Sequence, residues 1–181
     1  GTSEIILLLN ILTQDEFKIH NTPDLSFYDV TSKGGGDIST VSNLISFHNI
    51  EYFKDGKLSG NHNIHNLILH NGITLEVAPG YTKTFSGDIK PNGSCVKNTS
   101  ILAPGTTTFS KNSGTIDIEY VKLENIHATG GATFNAQNSQ DLGNNPGWNF
   151  TSPNPRTLYW VNSTGVWHDT TNWSLSSGGP A

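Results

Sequence analysis

The sequence predicts an all-β fold, a parallel β-helix (β-solenoid) that completes one coil every 20–22 residues. Three observations carry this reading. The first is a recurring phrase, apolar–any–apolar–any–Asn or Asp. It is clearest at residues 67–71 (Leu-Ile-Leu-His-Asn, then Gly72) and recurs at 25–29, 45–49 and 121–125, with degenerate copies at 89–93 and 101–105. Alternate residues of a strand share one face, and Asn or Gly accepts the left-handed backbone of a sharp turn. The second observation is the period. The turn positions fall at 29, 49, 71, 93, 105 and 125, so four of the five steps are 20 or 22 residues and one is 12. A period of this size marks a solenoid, in which each unit covers its neighbour's apolar face. The third is the residue choice: Ile, Val, Phe and Thr at alternate places, with Gly and Asn between, which favours strands. About seven coils at roughly 4.8 Å per rung would form a rod on the order of 34 Å long.

Taken in order, residues 1–150 read as one β-helical module. The apolar run 4–12 is too short to declare itself a helix or a buried strand, and residues 1–40 read as an incomplete first coil. Residues 33–37 (Lys-Gly-Gly-Gly-Asp) are a loop between coils; they lack the strand–Gly-rich–helix setting and the Lys-Ser/Thr of a phosphate loop. Residues 38–66 hold one coil with a turn at 54–57. Residues 67–93 are the cleanest unit, with a second strand at 74–77, a Pro-Gly corner at 79–80 and a third strand at 82–85. The short step from 93 to 105 signals a missing side or a slipped register. Alternation resumes at 114–123, a further coil fragment follows at 128–135, and residues 141–150 close the array. Two prolines stiffen the linker 151–157. Residues 158–181 then hold three of the four tryptophans.

Composition excludes several classes. Net charge is −5 and a single arginine, Arg156, is present, which argues against nucleic acid or an anionic membrane surface as partner. No apolar run reaches membrane-spanning length. Cys95 is alone, so no disulfide holds the fold, and its type fits a small buried apolar residue. The chain opens on Gly1 and contains no methionine, as an internal or processed segment would.

Few residues suggest chemistry. Asp29, Asn49, Asn71 and Asn125 hold one phase of the repeat, so stacking the coils would align them as a structural ladder of side-chain hydrogen bonds. His48 and His70 also share a phase, with His62 and His65 nearby, but no carboxylate or thiolate stands in step with them. No metal or other cofactor is therefore expected. Asp117 and Glu119 are close enough for a glycosidase pair, yet their alternation reads as an exposed strand face. No catalytic residue is assigned. Trp148, Tyr159, Trp160, Trp167 and Trp173 form the remaining group, suited either to covering an open solenoid end at a module junction or to stacking on sugar rings.

The tail is also where a resemblance becomes specific. Tyr159-Trp160-Val161, Gly165-Val166-Trp167-His168-Asp169, Asn172-Trp173-Ser174 and Ser177-Gly178-Gly179 resemble the module opening of very large Bacteroidota surface proteins, with Val166 where Asn is usual. The run 128–136 (Ala-Thr-Gly-Gly-Ala-Thr-Phe-Asn-Ala), then 141–145 (Asp-Leu-Gly-Asn-Asn) and Gly147-Trp148, is similar to that family's module closing, as is 92–95 (Asn-Gly-Ser-Cys) ahead of the strand at Ile101. Residues 1–40 match poorly. The resemblance implies an adhesin-like repeat module, extracellular at the bacterial surface, exported by the type IX system of gliding and host-associated bacteria. Residues 158–181 would then open a following module. The expected function is non-enzymatic: a stalk or contact surface in adhesion or gliding. Its partners would be adjacent modules of one long chain and a surface polysaccharide or other adhesion substrate. The alternative is a carbohydrate-binding module or a relative of β-helical polysaccharide-active enzymes.

Overall fold

Strand after strand lies parallel to the strand one coil before it, and the chain winds as a β-solenoid of about six turns. The computed structural model describes residues 16–19, 26–40, 44–152 and 157–179. The apolar run 4–12 and the linker's Arg156 lie outside these residues. In chain order the strands are β1 (Glu16–Ile19), β2 (Ser26–Ser32), β3 (Gly36–Thr40), β4 (Ile45–Tyr52), β5 (Gly56–Ser59), β6 (His62–Leu69), β7 (Thr74–Val77), β8 (Thr82–Phe85) and β9 (Ile89–Pro91). They continue as β10 (Thr99–Lys111), β11 (Thr115–Glu119), β12 (Val121–Gly130), β13 (Thr133–Gln137), β14 (Gln140–Asp141) and β15 (Trp148–Thr151).

Each coil has three sides. The first runs through Phe27, Phe47, Ile64, Phe85, Phe109 and Ala128. The second carries Val30, Ile50, Leu67 and Ile89, and later Ile116, Phe134 and Trp148. The third carries Ile38, Leu58, Val77, Ile101 and Leu123. Long strands span two sides because alternation slips once inside them. In β4 and β6 the residues at 48–49 and 65–66 both face outward, and the chain turns a corner there. Inward residues of all three sides merge into one core. Leu67, Leu69, Leu75 and Val77, expected to share it, are fully buried; each contributes roughly 1.5–3 kcal/mol.

Three expectations are corrected. Pro104 and Gly105 do not end a repeat: β10 passes through them with a register shift between Leu102 and Thr107, at the corner from third to first side. The short step from 93 to 105 therefore measures one side, between two different corners of one coil. Coil length also varies, from 14 residues between Phe134 and Trp148 to 26 between Thr74 and Ser100. Finally, Cys95 is exposed. It sits in the wide corner 92–98, where Ser94 and Lys97 exchange backbone hydrogen bonds and hold the loop off the core.

Candidate functional site

The polar ladder exists, with a different membership. Asn49 Nδ2 donates to Asp29 Oδ1 at 2.6 Å, and Asn66 Nδ2 donates to Asn49 Oδ1 at 2.9 Å. Asn66 Oδ1 in turn accepts the Asp88 N–H at 3.1 Å. Asn71 is exposed in the next corner, between second and third sides, and takes no part. Asn125 stands at yet another corner, with a left-handed backbone (φ 59). Its Nδ2 donates to the Ala103 carbonyl and its Oδ1 accepts from Asn144 Nδ2. Asn145, buried behind this corner, donates to the Leu123 carbonyl and accepts the Ile126 N–H, standing in for the peptide that the corner interrupts. A third ladder, unforeseen from sequence, runs Asn149 to Asn135 to Asp117 on the second side. In all three, each amide donates to the coil before it, and the series ends on a carboxylate or a carbonyl.

Other outward side chains are paired along the axis too. Tyr28, His48 and His65 stack ring on ring, with centroids 4.4 and 4.7 Å apart. His70 does not stand in step with His48, as the repeat suggested. It stacks on Phe53 at 3.8 Å and meets Glu51 Oε1 at 2.8 Å. Among the described residues no group of three His, Cys, Asp or Glu could hold a metal. Asp117 and Glu119 are both exposed on β11, and Asp117's carboxylate is engaged by Asn135.

A groove of about 890 Å³ follows the corner between second and third sides across successive coils. Gly35, Gly56 and Gly72 line it. A side chain at Gly35 would meet the Asp55 carbonyl, and one at Gly56 the Tyr52 ring, so backbone must form the surface there. Along one wall Asp37, Lys57 and Glu76 occupy one register on three rungs. Lys57 Nζ meets Glu76 Oε1 at 2.7 Å, and that bond, helped by Asp37, raises the lysine's pKa. Phe53, 39% exposed, also lines the groove, as does Lys97, whose side chain lies over Gly72.

Inside the solenoid, two basic side chains face inward in register on adjacent rungs. His62 and Lys83 are both fully buried. Lys83 Nζ donates to the Gly60 carbonyl at 2.5 Å, and its pKa falls from 10.5 to about 7 through burial. His62 Nε2 meets the Ser59 carbonyl at 3.0 Å. Burial, then the charge of Lys83, lowers its pKa to about 3, so the imidazole is neutral. Its Nδ1 has no partner.

The aromatic group divides. Trp148 belongs to the core of the closing coil, edge-on against Phe134 at 5.1 Å, and offers no surface for binding. Tyr159, Trp160, Trp167 and Trp173 form a separate cluster around a two-stranded antiparallel pair, β16 (Tyr159–Trp160) with β17 (Trp173–Ser174). Trp160 and Trp167 both meet Trp173 at nearly right angles, 89° and 83°. The rings therefore do not form the coplanar strip that a sugar platform requires, although Trp167 is 78% exposed.

Sequence reasoning missed Asn66, Asn135, Asn144, Asn145 and Asn149, and with them Phe53. The available signal was pairs of consecutive outward positions ending in Asn, at 48–49 and 65–66 alike. In comparisons with family models, curated proteins and solved structures, the chain matches none.

Proposed function

We propose that the chain is a non-enzymatic structural and adhesive repeat module of a large, secreted bacterial surface protein, acting as a stalk or contact surface in adhesion or gliding. The observation that carries the stalk is the continuity of its exterior. Asp29–Asn49–Asn66, Tyr28–His48–His65 and Asp117–Asn135–Asn149 each join coil to coil outside the core. Separating two coils so joined must then break side-chain contacts as well as the backbone ladder, which suits a rod that transmits force. The surface setting and type IX export rest on the resemblance of the tail and closing motifs. Adjacent modules of the same long chain are the natural partners, with the cluster of Trp160, Trp167 and Trp173 at the junction.

The test uses an antibody raised against this chain, applied to intact and permeabilised bacteria that carry it, alongside a strain lacking the segment. Labelling of intact cells, with loss of adhesion or gliding at unchanged growth, is the expected result. Labelling only after permeabilisation would overturn the reading. A second reading, a carbohydrate-binding module, is favoured by one observation, the groove beside Phe53.

A further inference from the structure

We infer that the groove between the second and third sides is a binding site for an extended neutral oligosaccharide. The inference rests on reading the chain as a contact surface, and it assigns that surface its site and ligand class. Direction is the first consideration. The groove follows the corner across successive rungs, so a ligand lying in it runs along the solenoid axis. A peptide strand laid that way crosses the rungs and finds no free strand edge to pair with. A sugar chain needs none, and a pyranose unit in an extended chain advances by about one rung spacing, roughly 4.8 Å.

Charge is the second. The wall formed by Asp37, Lys57 and Glu76 alternates in sign, and Lys57 and Glu76 are already paired. Such a wall offers donors and acceptors to hydroxyls at regular intervals and little net charge to attract an ion. The third is Phe53. It stacks on His70 of the next rung at 3.8 Å, so its ring lies across the axis, and at 39% exposure it presents a fixed apolar edge to a sugar lying in the groove. Glycine is required at 35 and 56, where a Cβ would meet the Asp55 carbonyl and the Tyr52 ring, so backbone lines the groove at these two positions.

The experiment is affinity electrophoresis of the whole chain through gels containing soluble β-glucan, mannan or xylan, with alginate as an anionic control. The wild type should be retarded by at least one neutral polymer, with little effect of salt. Phe53→Ala should weaken that retardation about tenfold or more, the loss expected of an aromatic anchor, at an unchanged melting temperature. Trp160→Ala and Trp167→Ala should leave it intact. If Phe53→Ala fails to fold, the double change Lys57→Met, Glu76→Leu replaces it, with the same loss expected. The inference is overturned by absence of retardation on all three neutral polymers, by retardation on alginate alone that salt abolishes, or by loss confined to the tryptophan variants. Those outcomes leave the cell-labelling test untouched. An intracellular location would conversely remove the surface role without removing binding in the gel.

Discussion

Asn66 and Asn71 end two successive sides of one coil, and only the first is tied to its neighbours. Asn66 donates to Asn49 and accepts from Asp88, so Asn66→Leu leaves the half-buried Asn49 Oδ1 and the exposed Asp88 N–H without these partners and should destabilise by about 1 kcal/mol. Asn71→Leu should change the free energy of unfolding by no more than about 0.5 kcal/mol. Equal effects would mean that the ladder contributes nothing. Repetition made this ladder legible in sequence but misassigned its third and fourth members, Asn71 and Asn125, because a phrase of two apolar residues and an Asn fits the end of any side. The buried bases set the pH dependence. His62 takes up a proton near 6.5 when unfolded and only near 3 when folded. Its contribution to stability is therefore lost as pH falls through that window, at up to about 1.4 kcal/mol per pH unit. Lys83, lowered from 10.5 to about 7, binds its proton more readily in the unfolded chain, so stability should rise with pH between those values. Lys83→Met should flatten that alkaline rise in urea titrations at successive pH values; an unchanged slope would show the amine to be solvated.

At the scale of the element, alternation within each strand was readable. Leu67, Leu69, Leu75 and Val77 all face the core as their spacing required. Leu69→Ala should destabilise by about 2–5 kcal/mol, and its outward neighbour Ile68→Ala by about 0.5 kcal/mol or less. A large loss at Ile68 would mean the strand phase is inverted. Corners were less legible. The slips at 48–49 and 65–66 change which residues face inward without changing composition, and three sides of similar length let a register slide from one corner to the next. The groove was illegible for a related reason: Asp37, Lys57 and Glu76 are brought into one row only by the register of three third-side strands.

At the scale of the whole molecule, a shared core and outer ladders join the coils, and among the described residues no cluster could hold a metal. Chelation with EDTA should leave the melting temperature unchanged. A fall reversed by zinc would reveal a site that the described histidines do not form. The repeat period was enough to identify the β-solenoid, whereas the number of turns depended on coil lengths that vary with each corner. The ladders have a sense as well as a position. Every amide in them reaches back toward the N-terminal end, to Asp29, to Asp117 and to the Ala103 carbonyl. A chain wound from that end meets, at each new coil, an acceptor already in place. Wound from the other end, each new coil would bring acceptors to donors already held out. A cut across a ladder therefore leaves unlike faces, acceptors on the N-terminal part and amide donors on the C-terminal part.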